Sequence, residues 1–192
     1  MPNPFSTAGL FLVNIIFDLY LLTLMVRLIL FWARANYFNP VTQVILKLTN
    51  PIIIPIRRII PNIKNLETST LVVLLLLEII KYSLIGLITI GFPDSVLGLL
   101  VLSFADCLKL LVNTFFYAIL LQAIMSWVRA GYSPVSELLS LITRPLMRPF
   151  QRLIPPVGGM DISPIPVMIL LQLMVIVLVN PLLSIGTTMA FV

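Results

Sequence analysis

The sequence has no histidine and a single cysteine, Cys107. A Ser-His-Asp triad, a histidine-assisted cysteine nucleophile, a histidine-ligated haem and the usual zinc sites are therefore excluded, as is a disulfide within the chain. Cys107 stands in an apolar run and reads as a small packing residue. Charge is equally scarce: 10% of the 192 residues are charged and 60% are hydrophobic, against about 25% charged in an ordinary soluble domain. So few charges cannot cover a water-soluble core, and lipid must supply much of the solvent. Glycine-rich phosphate loops and nucleotide fingerprints are also missing, and no cofactor is expected. The basic segments are too apolar to have nucleic acid as their main target.

Long apolar runs take up most of the chain. A helix needs about 20 apolar residues to cross about 30 Å of hydrocarbon. Four segments qualify, roughly Ala8–Phe31, Ser69–Gly91, Ala105–Trp127 and Ile165–Ile185. The N-terminal stretch before residue 8 carries no Lys or Arg and the run that follows is too long for a secretory core, so it reads as a retained span. Val96–Phe104 is too short to span by itself and follows a Gly91-Phe92-Pro93-Asp94 turn signal; an interfacial or re-entrant connector is expected over 93–104.

The net charge is +5, from 12 Lys+Arg and 7 Asp+Glu, and the location of this excess sets the orientation. Arg34, Lys47, Arg57, Arg58 and Lys64 lie between the first two spans; Arg129, Arg144, Arg148 and Arg152 lie between the last two. The middle loop carries Asp94 and no base. Lys and Arg mark cytoplasmic loops, so both basic loops are expected in the cytoplasm and both termini outside, in the periplasm of a bacterial inner membrane. The two halves are then parallel repeats related by an axis along the membrane normal.

The halves also repeat in sequence. Trp32-Ala-Arg34-Ala-Asn-Tyr37-Phe-Asn-Pro40-Val-Thr42 aligns with Trp127-Val-Arg129-Ala-Gly-Tyr132-Ser-Pro134-Val-Ser136. Thr49-x-Pro51-x-x-x-Pro55-x-x-Arg58-x-Ile60-Pro61 aligns with Thr143-x-Pro145-x-x-x-Pro149-x-x-Arg152-x-Ile154-Pro155, and Glu67 with Asp161. The expected organisation is residues 1–92 as the first repeat and 105–192 as the second. Each repeat is a helix, an amphipathic basic hairpin and a helix, in an all-α membrane protein. Asn39 and Ser133 precede prolines and read as N-caps. Val41, Val44, Ile45 and Leu48 form an apolar stripe, as do Val135, Leu138, Leu139 and Ile142. Pro51 and Pro145 are expected to stop these helices before a second short apolar-basic piece. Each hairpin then lies in the interface, apolar side down and arginines up, with Trp32, Tyr37, Trp127 and Tyr132 at the boundary. Trp32, Arg34, Arg57, Arg58, Trp127, Arg129, Arg144 and Arg152 are the candidate contacts to anionic membrane lipid or to a partner. Each base near such a surface contributes about 1 kcal/mol.

Ionisable residues inside spans are costly and are usually paired or functional. Asp18, Arg27, Glu78 and Lys81 fall there, and the repeat sets Asn113, Gln122 and Gln172 against Asp18, Arg27 and Glu78. These residues are expected to form one polar cluster across the repeat interface. Glu78 and Lys81 share a helical face and can pair. Asp18 and Arg27 are roughly 13 Å apart along a helix and cannot. Asp106 and Lys109 can pair locally.

The doubled signature Trp-x-Arg…Tyr…Pro-Val-[Thr/Ser]…Thr-x-Pro-x-x-x-Pro-x-x-Arg-x-Ile-Pro resembles the YggT family of bacterial membrane proteins, called YlmG in other bacteria and in plastids. It departs from the pattern where Gln151 replaces the first arginine of the Arg57-Arg58 pair and where the second repeat is one residue shorter before its proline. The resemblance implies an inner-membrane or thylakoid protein without established enzymatic activity, linked to osmotic tolerance, cation uptake, envelope or division-related organisation and plastid cytochrome assembly. It implies structural or docking roles for the matching positions of this chain, not catalytic ones. The expected function is a non-enzymatic membrane scaffold or accessory factor, with anionic lipid and a membrane-protein partner or second copy as its contacts. The alternative is a cation transporter or channel subunit built on the buried charges of the first repeat.

Overall fold

The computed structural model describes residues 4–63, 66–89, 91–128, 131, 133–154 and 161–191. Its elements, in order, are α1 (Pro4–Trp32), α2 (Pro40–Arg57), α3 (Thr68–Thr89), α4 (Val96–Trp127), α5 (Pro134–Leu153) and α6 (Pro164–Met174). A π-helical turn (Val175–Val179) joins α6 to α7 (Asn180–Ala190). The described residues contain no strand, only one isolated bridge between Ile63 and Leu66. Four helices are long and apolar enough to cross a membrane: α1, α3, α4 and the combined α6–α7.

The spans bury one stripe and offer the rest to lipid. On α1, Leu21, Leu24, Met25 and Leu28 are buried while Phe11, Ile15 and Leu19 face outward. Both sets follow the helical repeat. Leu21, Leu24 and Leu28 join Val73 and Leu74 of α3, Ile53 of α2 and Leu138, Leu139 and Ile142 of α5 in one core that links the two repeats. A second core, within the second repeat, gathers Val112, Ile119, Met147, Val167 and Leu171.

The segment Val96–Phe104 is not a separate connector. It forms the first nine residues of α4, a continuous 32-residue helix. Ser95 starts this helix by accepting from Gly98 N at 3.2 Å, and no glycine or proline follows Gly98 within it. At 1.5 Å per residue α4 is about 48 Å long, so the added residues extend an existing crossing and create no new one. They also carry its tightest contact. Gly98 lies against the backbone of Met189 and Ala190, and Gly186 against the backbone of Leu102. Close approach of this kind through small residues is how helices associate in lipid, where no hydrophobic force drives them together. The turn before α4 is tied to the same place by Asp94 N donating to Ala190 O at 2.8 Å. The π turn in the fourth span bonds Asn180 N to Val175 O, five residues back, just before Pro181, which has no N–H to give.

The hairpin helices differ from expectation as well. Pro51 and Pro145 do not stop them: α2 runs on through Pro51 and Pro55, and α5 through Pro145 and Pro149. A proline in a helix leaves one carbonyl unpaired. Pro51, Pro55, Pro145 and Pro149 are all exposed, and the carbonyls they leave free belong to the exposed Lys47, Pro51 and Pro145 and to the half-buried Leu141. Both N-caps form as expected. Asn39 Oδ1 accepts from Val41 N at 3.0 Å, and Ser133 and Ser136 bond reciprocally in a capping box. The apolar stripe of α2 is shared between two surroundings. Val41 and Ile45 pack inward, while Val44, Leu48 and Ile52 stay exposed.

The two hairpins meet. Asn39 Nδ2 donates to Pro134 O at 2.9 Å and to Glu137 Oε2 at 3.4 Å. Both hairpins therefore lie at one end of the bundle, as parallel repeats require.

Candidate functional site

Two polar centres stand out. The first lies at the hairpin end, where α1, α2 and α3 converge. Arg27, buried near the end of α1, donates from Nε to Glu67 Oε2 and from Nη2 to Glu67 Oε1, both at 2.8 Å. Its Nη1 donates to Thr49 Oγ1 at 2.7 Å and Asn50 Oδ1 at 2.8 Å, both on α2. Thr49 passes the chain on by donating to Ile45 O at 2.6 Å, and Thr70 Oγ1 donates to Glu67 Oε2 at 2.6 Å. A guanidinium is a rigid fork suited to a carboxylate. One arginine thus fixes α2 to both flanking spans. Burial pushes the Glu67 carboxyl up, but the bonds from Arg27 and Thr70 outweigh this and hold it below its ordinary value.

The second repeat builds the same joint without buried charge. Gln122 stands for Arg27 and Thr143 for Thr49; the Thr143 hydroxyl pairs with the Gln122 amide and donates to Leu139 O at 2.7 Å. Asp161, in the place of Glu67, takes Ser163 N and Gln151 Nε2 at 2.9 Å each and Ser163 Oγ at 2.5 Å. Burial raises this carboxyl, and the bonds from Ser163 and Gln151 bring it below its ordinary value. Trp127 Nε1 donates to Asp161 O at 3.1 Å, which ties the end of α4 to the start of the last span.

The second centre is at mid-span. Lys81 Nζ on α3 lies 2.9 Å from Asp18 Oδ1 on α1, 3.0 Å from Asp106 Oδ2 on α4 and 3.3 Å from Glu78 Oε2 on its own helix. Three carboxylates share one ammonium beside a cavity of about 380 Å³ that Lys109, Asn113 and Thr114 also line.

The single cluster expected from sequence is thus divided. Asp18, Glu78 and Lys81 come together, with Asn113 beside them. Arg27 lies nine residues further along α1 and turns to the hairpin instead. Gln122 turns to α5, and Gln172 makes no side-chain hydrogen bond with any described residue. Asp106 bonds to Lys81 rather than to Lys109, because three helices converge on that ammonium. Glu67, Thr49 and Asn50 were not singled out by sequence, although the repeat offered a signal: Glu67 and Asp161 align, and so do Thr49 and Thr143.

Among the expected lipid or partner contacts, Trp32, Arg34, Arg57, Arg58, Trp127, Arg144 and Arg152 are all exposed at the hairpin end. Arg57 Nη1 reaches within 4.0 Å of Glu67 Oε1. Arg129 lies outside the described residues, as do Lys64, Tyr132 and Pro155. Arg34 has a positive φ of 55° and completes a Schellman ending of α1, with Ala35 N donating to Leu30 O at 2.9 Å and Arg34 N to Phe31 O at 3.1 Å.

A multi-pass helical membrane protein of two tandem repeats, each fastening a further helix at the same end, is the class that this architecture defines. A family model described as CCB3/YggT matches residues 6–88 and 101–182, one stretch per repeat. The chain belongs to the CCB3/YggT family. It is 34% identical to an uncharacterised protein of Pseudomonas aeruginosa over 179 residues, 92% of this chain and 91% of the relative. It is 36% identical to the uncharacterised protein YggT of Escherichia coli K12 over 162 residues, 84% of each chain. An uncharacterised protein encoded in the proC 3′ region of Vibrio alginolyticus is 36% identical over 163 residues, 84% of this chain and 88% of its own. No solved structure matches.

Proposed function

We propose that the protein is a non-enzymatic scaffold of the bacterial inner membrane, whose paired hairpins rest on the anionic cytoplasmic leaflet and present a basic surface to a membrane-protein partner or a second copy. The observation that carries this reading is the joining of α2 and α5 at one end, with Val44, Leu48 and Ile52 exposed beside exposed arginines. A helix with an oily stripe and basic neighbours is stable in the plane of an interface, and the charge bias favours the cytoplasmic leaflet. The hairpins are fastened to the spans by buried polar bonds, which suits a fixed platform. The test is retention of phosphatidylglycerol by protein purified in a neutral detergent, counted by native mass spectrometry. The wild type is expected to retain it, and a variant with Arg34, Arg58, Arg129 and Arg152 all replaced by Gln to lose it. Equal retention by the two would overturn the reading.

A second reading, cation transport, draws on the mid-span carboxylates. Asp18, Glu78 and Asp106 converge on one point as a cation-binding set would. The Lys81 ammonium, however, already occupies the place that a free cation would take. Under the scaffold reading, reconstituted liposomes show no potassium or sodium flux. Flux that is lost in Glu78→Gln would establish the transport reading instead.

A further inference from the structure

The two hairpin joints solve one packing problem in opposite electrostatic ways, and the difference leaves a cation unspent. In the first repeat the arginine on the span is consumed by Glu67, and Asn50 of α2 turns inward to accept from it. In the second repeat the joint is neutral, Gln122 to Thr143. The residue aligned with Asn50 is Arg144, which has only donors to offer and stays exposed. Among the described residues its side chain has no hydrogen-bond or ion-pair partner.

Arg144 lines a cavity of about 410 Å³ between α5 and the turn that follows α1. Arg34 and Asn36 come to it from the first repeat, Glu137 and Arg144 from the second, over apolar walls that include Leu141 and Met147. The three charged residues leave one net positive charge. Arg34 comes to the cavity from the left-handed position that ends α1. Phe38 and Val135, exposed apolar residues, lie two positions along the chain from the lining residues Asn36 and Glu137.

We propose that this cavity between the two repeats is a binding site for the phosphodiester of an anionic lipid headgroup, with Arg144 as its main charged contact and Arg34 as the second. The site rests on the interfacial reading above and makes it specific. A phosphate matches a guanidinium in shape and charge, and basic pockets at the ends of membrane helices take such headgroups. The cavity draws on both repeats, so a bound lipid would bridge them at the point where Asn39 meets Pro134.

The test uses the full chain in nanodiscs of phosphatidylcholine with increasing phosphatidylglycerol, read as the mole fraction that half-saturates the gain in thermal stability. Arg144→Gln is expected to raise that fraction more than about tenfold, the loss of a charge-assisted hydrogen bond to phosphate, and Arg144→Lys to restore most of it. Arg148→Gln removes an equal charge one turn along α5, outside the cavity, and is expected to shift the fraction by no more than the about fivefold that one cation at an anionic surface supplies. Equal effects of the Arg144 and Arg148 variants would overturn the site while leaving the interfacial reading intact. Loss of the phosphatidylglycerol response in neither of these variants nor the four-arginine variant would sink both. Inorganic phosphate or glycerol phosphate competing at millimolar concentration would assign the cavity to a soluble ligand and overturn the lipid proposal.

Discussion

Arg27 and Gln122 occupy the same place in the two repeats, and their contrast shows what a buried charge requires. Arg27 is stable in its place because Glu67, Thr49 and Asn50 together satisfy its Nε and both Nη atoms. Removing one member of such a pair leaves the other charge stranded, which costs about 3–5 kcal/mol. Removing both can be close to neutral. Arg27→Gln is therefore expected to destabilise the protein by about that amount in reversible unfolding from detergent micelles. Arg27→Gln combined with Glu67→Gln, which makes the first joint resemble the second, should recover most of the loss. A single variant as stable as the wild type would refute the joint as a fastening. The sequence made Arg27 legible as a residue in need of a partner, since Asp18 was about 13 Å away. It did not make the partner legible, because Glu67 is forty residues distant and lies in a loop whose path depends on α2.

Helix patterning gave the four spans and both N-caps. It erred where a local rule met a tertiary context. Proline rules end α2 at Pro51 and α5 at Pro145, but both prolines are exposed and the helices run on through them. Hydropathy separates Val96–Phe104 from the span after it, because a window of membrane thickness is filled from Ala105 onward. The role of that extension depends on Gly98 meeting α7 some ninety residues later, a contact that no local pattern encodes. The glycine is the testable element. A Cβ on Gly98 would collide with Ala190 N and Met189 C, backbone atoms that cannot rotate aside. Gly98→Ala must widen the α4–α7 crossing, at a cost of about 1–3 kcal/mol, and should make the Asp94 amide, which donates to Ala190 O, exchange its hydrogen faster. Unchanged stability and exchange would mean that the crossing is looser than its geometry states.

At the scale of the whole molecule, alternation of four spans puts both hairpins at one end, and the Asn39–Pro134 bond holds them side by side. Charge decides which side of the membrane that end occupies. With all the loop bases in the two hairpin segments and none in the middle loop, insertion in the other sense would carry both basic segments across the bilayer. Cys107 is the one native thiol, so a Cys107→Ala background allows single cysteines to be placed at will. Arg58→Cys and Arg152→Cys are expected to react with a membrane-impermeant maleimide in inverted inner-membrane vesicles and to be protected in spheroplasts. Asp94→Cys, in the turn at the far end, should show the reverse. If Arg58→Cys and Arg152→Cys label from opposite sides, the repeats are inverted rather than parallel. A cavity shared by the hairpins could then not exist in the membrane, since its two arginines would belong to different leaflets.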